Sequence, residues 1–438
     1  MAREIQRRDV LKGVGGVSAI GLAGCITQDS GGGSTPTDDG SGEGTSTATD
    51  EPSESKRTIK HSVLMPITGD LASLGKLIRD GGTLPVKQLR AAGDMPVKFD
   101  QTVEDTQTDP QAGIQAANAL ASAGYPSVTG PASSGVNLQV TQQVLIPNQM
   151  VGCSPSSTSP AVTDLQDNGF IFRTAPSDAL QGQVMAQVAS ENLGNSSASV
   201  MYVNNDYGQA LADSFATSFE NNHGGSVQTQ VAFTKEKSSY TSELSSAMSD
   251  SPDMLVVIGY PASGIQIFRD YYADYSDQTD IMVTDGLKDS SLPGEVGNDM
   301  SNVYGTAPEA SGPGVDAFNT LYQEEYGRAP GVFNSHAYDA SAVCLLANAK
   351  AGANDGAAVR DNMRKVANPN DGLKVTPANL PEGLRAAANG DSVFYQGASS
   401  AVDFDQNGDM KAVTYSYFKF NTDVEGNIET LDTVNFSK

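Results

Sequence analysis

Basic residues, histidine and cysteine are all scarce in this 438-residue chain, and no stretch beyond its N-terminal region is long and apolar enough to cross a membrane. Only 27 Lys and Arg stand against 52 Asp and Glu, a formal net charge of -25, which argues against charge-driven binding to nucleic acid or to an anionic membrane. The three histidines, His61, His223 and His336, have no Gly-x-Ser-x-Gly elbow to serve, so a hydrolase is only a remote alternative. His336 reads as packing at a helix start. No Walker-type or Gly-x-Gly-x-x-Gly sequence follows a strand pattern, and nucleotide chemistry lacks support. Neither a cofactor nor a catalytic residue is expected. Of the three cysteines, Cys153 ends an apolar strand pattern and Cys344 lies in an apolar helix pattern, the setting of buried free thiols. The acid is spread along the whole chain and Lys is sparse, a pattern suited to molar salt, where charges are screened beyond about 3 Å. A haloarchaeal source is the expectation.

What the chain does have is a marked beginning. Arg7-Arg8-Asp9-Val10-Leu11-Lys12 precedes an uncharged run from Gly13 to Gly24 that ends in Leu22-Ala23-Gly24-Cys25. The arginine pair resembles a twin-arginine export signal, and Leu-Ala-Gly-Cys resembles a lipobox. The apolar run falls well short of the roughly 20 residues that a membrane-crossing helix needs. Residues 1–24 therefore read as a signal peptide, with Cys25 as the lipidated mature N-terminus. Residues 25–57 are nearly all Gly, Ser, Thr, Asp, Glu and Pro, a flexible linker. The folded part is expected on the extracellular face of the membrane, held there by lipid.

From residue 58 onward strand and helix patterns alternate. Strand patterns cover 59–65, 97–103, 126–130, 149–153, 199–204, 227–233, 253–259, 280–284 and 302–307. Helix patterns cover 74–91, 110–123, 137–145, 179–192, 207–222, 240–249 and 263–274. Such alternation predicts an α/β fold of doubly wound parallel sheets, and its recurrence on either side of 173–178 predicts two similar lobes. Ligands meet such sheets at the loops after the strands. In the first half these loops are Met65–Gly75, Gly130–Gly135 and Cys153–Thr158; in the second they are Tyr202–Gly208, Ile258–Tyr260 and Val283–Gly286. Each Ser/Thr cluster, taken singly, reads as an N-cap or turn; at a helix start it can also seat an anion. The second set offers tyrosine faces and the carboxylate of Asp285. Hydroxyls and N–H groups on one side and a carboxylate on the other suit a zwitterion, and hence a free amino acid.

One acidic loop, Asp403 to Asp409, opens like a calcium site, yet Thr414 stands where the bidentate Glu belongs. A hairpin turn between Ala401–Phe404 and Lys411–Phe418 is the reading adopted, and no metal is expected.

Over residues 58–438 the chain resembles the type I periplasmic binding proteins, and among them the leucine/isoleucine/valine-binding receptors of ABC transporters. The resemblance is carried by Pro66–Gly75, Gly130–Ser134, Ser154-Pro155 to Thr158, Phe172–Asp178, Asp206-Tyr207-Gly208, Gly259-Tyr260, Asp285-Gly286, Tyr338-Asp339-Ala340 and Tyr395–Asp409, in that order. It implies a Venus-flytrap fold with a three-segment hinge. Lobe one would comprise 58–175 and 309–394, and lobe two 176–308 and 395–438. It further implies that Ser134 holds the ligand carboxylate, that the Ser156 carbonyl, the Thr158 hydroxyl and Asp285 take the ammonium, and that Tyr207 and Tyr260 close over the side chain. Leu74 departs from the aromatic residue often found there, yet an aliphatic wall still favours a branched-chain, aliphatic amino acid; urea, short amides or aromatic acids on the same scaffold are the alternative. The implied partners are the small ligand and a membrane permease, with a ligand-sensing role as the alternative. The protein would act as a monomer and without nucleic acid.

Two outcomes test this reading. Arg7→Lys with Arg8→Lys should trap the chain inside the cell, while Cys25→Ser should yield exported protein that fractionates away from membranes; membrane retention of that variant would refute the lipobox. Dialysis into low salt should unfold the protein, followed by circular dichroism, and full structure there would count against adaptation to molar salt.

Overall fold

The computed structural model describes residues 56–437; Arg7, Arg8, Cys25 and all but the last two linker residues lie outside them. The run Met254-Leu255-Val256-Val257-Ile258 has every side chain buried, which suits a central strand covered by helices on both faces. The edge strand Ser226–Phe233 instead alternates exposed and half-buried side chains, the period-two signature of a strand with one wet face.

In chain order the first sheet and its helices are β1 (Thr58–Met65), α1 (Ala72–Ala91), β2 (Lys98–Asp105), α2 (Pro110–Ser122), β3 (Ser127–Thr129), α3 (Ser134–Val140), β4 (Val151–Ser154) and β5 (Ile171–Arg173). A π-helical turn, Thr141–Leu145, continues α3. There follow α4 (Asp178–Gln187), β6 (Ser197–Val203), α5 (Asp206–His223), β7 (Ser226–Phe233), α6 (Thr241–Ala247), β8 (Met254–Ile258), α7 (Pro261–Asp274), β9 (Asp280–Val283), α8 (Leu292–Val296) and β10 (Val303–Glu309). The chain continues through α9 (Val315–Tyr326), α10 (Asn334–Ala351), α11 (Gly356–Ala367), β11 (Leu373–Val375), α12 (Leu380–Ala388), β12 (Val393–Tyr395), β13 (Ala412–Phe420) and β14 (Ile428–Ser437). None of the described helices is long and apolar enough to cross a membrane.

Two large sheets result, each packed against helices. The first is wholly parallel, in the order β2-β1-β3-β4-β5, and the second runs β14-β13-β10-β9-β8-β6-β7. The second departs from the all-parallel expectation, because β13 pairs antiparallel with both β10 and β14. Helix α10 is buried from Asn334 to Ala349 and contacts β1, β3 and β4. It can approach α1 closely because Gly81 has no side chain: a Cβ there would lie 2.2 Å from the Asn334 carbonyl oxygen. Cys153 and Cys344 are buried free thiols.

The acidic loop corrects the sequence reading. Of the expected hairpin only a single bridge, Phe404 to Met410, forms, and Ala412–Phe420 finds its partners in β10 and β14 instead. The physical reason is that cations claim the loop. Arg364 donates to the carbonyls of Asp405 and Gln406, both at 3.0 Å. Arg173 reaches Asp409 at 2.6 Å, while Lys411 pairs with Asp403 across the turn itself at 2.7 Å. Asp339 on α10 accepts from the N–H groups of Ala398 and Ser399 at 2.9 and 2.7 Å. Residues 398–409, placed with the second lobe by the sequence reading, are thus fastened to helices and loops of the first, and the chain enters the second sheet only at Ala412. Among the described residues no cluster of His, Cys, Asp and Glu could hold a metal ion.

Arg173 is the buried centre of this region. Its side chain is 1% exposed and that of Asp409 8%; the guanidinium also donates to the carbonyls of Ser157 and Ser159 at 3.1 and 2.9 Å and to the Thr163 hydroxyl at 2.8 Å. Removing one partner of a buried ion pair strands the other. Arg173→Ala should therefore lose about 3–5 kcal/mol, read as a lower denaturant midpoint; an unchanged midpoint would refute that role.

Candidate ligand site between the two sheets

Strand order reverses between β1 and β3 in the first sheet and between β6 and β8 in the second. A doubly wound sheet opens a crevice at such a reversal, and here the loops after these four strands face one another. With neighbouring loops they line a partly open cavity whose unfilled space, open solvent included, comes to about 300 Å³. Leu71, Leu74, Ile78 and Phe333 give it an aliphatic and aromatic wall; Ala132, Ser133, Ser134 and Ser156 contribute from the first sheet, and Tyr207, Tyr260, Asp285 and Gly286 from the second.

One end of the cavity is a donor surface. The first N–H groups of a helix find no partner within it, and Ser133 and Ser134 stand at the start of α3. The Ser134 hydroxyl oxygen already accepts the Ser159 N–H at 3.2 Å, which leaves its proton free to be donated to an anion. The Ser156 hydroxyl donates to the Ala132 carbonyl at 3.2 Å. The other end is acidic. Tyr207 donates to Asp285 at 3.1 Å and lies 2.7 Å from the Thr284 hydroxyl. The Tyr207 and Tyr260 rings stack at 5.6 Å and 12°, and Tyr260 is held by the Ser133 hydroxyl at 3.0 Å and the Asn205 amide at 3.1 Å. Asn205 sets this geometry by capping α5, accepting from the N–H groups of Tyr207 and Gly208.

Burial pushes the Asp285 carboxyl up to about 6, against the opposing pull of hydrogen bonding with Gln181 and Tyr207. Asp178, wholly buried at the start of α4, is raised further from the usual range by burial and then by the charge of Asp285. The Thr158 hydroxyl beside it counters part of that rise without reaching hydrogen-bond geometry: neither Thr158 Oγ1 nor either carboxylate oxygen of Asp178 has a hydrogen-bond partner. A second carboxyl with unused acceptors therefore stands near the acidic end.

Of the residues singled out from sequence, Ser134, Ser156, Tyr207, Tyr260 and Asp285 line this one cavity. Thr158 does not; it is buried beside Asp178. Sequence reasoning missed Phe333, which enters from the start of α10 with a left-handed backbone of φ 64°; nothing in the local pattern marks such a residue. It also missed Asp178, whose place at a helix start looks like ordinary first-turn acid. Ser133 was visible as part of the Ser cluster, but its contact with Tyr260 joins distant segments. His336 is buried against the Phe333 ring at 5.4 Å, and burial lowers its pKa to about 3.

Comparison with known proteins agrees with this architecture. A family profile described as periplasmic binding protein matches residues 58–396. The chemotactic signal transduction system substrate-binding protein BasB of Halobacterium salinarum is 26% identical over 78% of this chain and 82% of its own. Leu/Ile/Val-binding protein homolog 1 of Brucella abortus is 26% identical over 83% of this chain and 90% of its own. The crystal structure of the leucine binding protein LivK from Thermotoga maritima superposes with a TM-score of 0.71 at 24% identity, covering 86% of this chain and 98% of that one. A solute binding protein of an ABC transporter from Rhodopseudomonas palustris, solved with 3,4-dihydroxybenzoic acid, gives 0.69 at 16% identity over 87% and 98%. At these identities the two superpositions establish the fold alone.

Proposed function

The chain belongs to the type I periplasmic binding protein family, in its leucine/isoleucine/valine-binding branch, and we propose that it captures a branched aliphatic amino acid between its lobes and delivers it to an ABC permease. The observation that carries the reading is one cavity with hydroxyl and N–H donors contributed from the first sheet, Asp285 from the second, and Leu71, Leu74 and Ile78 in its wall. An α-carboxylate suits the first end and an ammonium the second, while the aliphatic wall rewards a branched side chain at roughly 25 cal/mol per Å² of apolar surface buried. Urea or an amide would leave a buried carboxyl without a cation. An aromatic acid would leave Asp285 unpaired. Export and lipid attachment at Cys25 would hold the protein beside its permease on the extracellular face.

A second reading keeps the ligand and changes the recipient. The relative from Halobacterium salinarum is named for chemotactic signal transduction, so a membrane-bound signalling receptor could read the closed form. Co-purification from lipid-containing extracts with a permease or with a signalling receptor distinguishes the two.

A thermal-shift screen of amino acids, urea, amides and benzoates tests ligand class, since binding only the folded state at a hundredfold excess over Kd stabilises by about 2.7 kcal/mol. Asp285→Ala should weaken leucine, isoleucine and valine by a few hundredfold or more, from the order of 3–5 kcal/mol lost when a buried charge is stranded. Ser134→Ala should cost less, about 1.5–3 kcal/mol, because neighbouring N–H donors remain. The carboxyl of Asp285 stands near 6 before ligand arrives, and an ammonium favours its ionised form. Affinity should therefore be full above that value and fall by up to about tenfold per pH unit below it, as the proton that must leave becomes harder to remove. If Asp285→Ala binds these amino acids as the parent does, a neutral ligand becomes the better hypothesis.

A further inference from the structure

Helix α7 starts inside the ligand site without a cap of its own. Its N-cap residue is Tyr260, whose hydroxyl, at the far end of a rigid ring, cannot turn back to the helix and makes no cap bond; it is engaged instead with Ser133 and Asn205. The orphan N–H groups of the first turn are met from the other lobe. Asp70, in the loop after β1, accepts the Ser263 N–H at 2.8 Å and the Ser263 hydroxyl at 2.9 Å, and its own carbonyl takes the Ala262 N–H at 3.2 Å. Both Asp70 and Ser263 are buried by this contact. Gly69 sets the approach: it has φ +84°, and a Cβ there would lie 2.1 Å from the Gln107 carbonyl oxygen. Two lesser bonds run alongside, from Ser73 to Asp289 at 2.6 Å and from Lys235 to the Thr108 carbonyl at 2.6 Å.

We propose that Asp70 is the positioning residue for ligand capture, capping α7 from the opposite lobe so that the cap exists only when the lobes are closed. The proposal rests on the reading of the protein as a capture device with a hinge. A side-chain oxygen at a helix N-terminus satisfies orphan donors and meets the positive end of the helix. When the lobes part, those donors and the carboxylate pass to water. Asp70 lines no part of the cavity, so it acts on affinity only through the fraction of molecules that are closed, and apparent affinity scales with that fraction. This differs from a ligand contact in one measurable way: its loss weakens every ligand by the same factor.

The test separates the latch from the ligand. In the full chain carrying Cys25→Ser, nitroxide labels at exposed positions of α2 and α5, Ala119→Cys and Thr217→Cys, report the distance between lobes, while Cys153 and Cys344 are buried. Without ligand, Asp70→Ala should shift the distance distribution toward longer separations, with Asp70→Asn between it and the parent. Affinity for leucine, isoleucine and valine should fall together, by of order 10- to 100-fold, mostly as faster release. Should Asp70→Ala not fold, Ser263→Ala removes the hydroxyl donor alone and should shift both readouts in the same direction by less. Unchanged distances, or a changed ranking among the three ligands, overturn the latch. If the parent binds none of these amino acids, the ligand assignment fails, and the distance measurement still decides the latch.

Discussion

A guanidinium removed from water must find acceptors for its N–H groups, and Arg173 finds four of them in two stretches far apart in the chain, 157–163 and Asp409. It stands at the end of β5, where the chain first leaves one sheet for the other, and gathers the carbonyls of Ser157 and Ser159, the hydroxyl of Thr163 and the carboxylate of Asp409. The first two belong to the loop that carries Ser156 and Thr158, and the last to the third passage between sheets. The conformation of the ligand-facing loop and the path of the hinge thus share one buried cation. The Ser159 N–H, turned toward Ser134, is placed by the same loop, so the donor end of the cavity depends on a side chain outside it.

Desolvation is distributed unevenly around this framework. Asp70, Asp285 and Asp339 are all pushed by burial to about 6, yet they do different work. Asp339 is answered in full by protein donors, the N–H groups of Ala398 and Ser399 together with the hydroxyls of Ser399 and Tyr395. Asp285 has Tyr207 for company, and behind it Asp178 has none. The fold thus satisfies one buried carboxyl fully and leaves another, near the cavity, without a hydrogen-bond partner.

The parts that could be read from sequence were those governed by local chemistry. Buried runs such as Met254–Ile258 and the Gly- and Ser-rich loops after the strands identify themselves, because the carboxyl ends of parallel strands are where ligands meet such sheets. That brought the loops bearing Ser134, Ser156, Tyr207, Tyr260 and Asp285 into view, and the family resemblance singled out those residues within them. What escaped was governed by partners far away in the chain. The alternation in Ala412–Phe420 announces a strand, but nothing in it says that β10 and β14 lie on its flanks. The acidic loop looked like an ordinary hairpin turn because the two arginines that claim it, Arg173 and Arg364, come from other segments. Thr158 carries a hydroxyl in the right loop, and only the packing of α4 shows that Asp178 lies beside it.

Position 260 occupies two structural roles that ask for opposite residues. As the first residue before α7 it would best be Ser, Thr, Asp or Asn, short and able to close the helix on itself; as a wall of the cavity it must be broad and flat to stack on Tyr207. Having taken the second form, it hands the first duty to the opposite lobe. On the proposed latch, selectivity and the tendency to shut would therefore be set at one position. A lineage that retunes its ligand by shrinking this side chain would, in the same step, give the helix an internal cap and loosen its claim on the facing lobe, so receptors derived from this one for smaller or more polar ligands would rest more open.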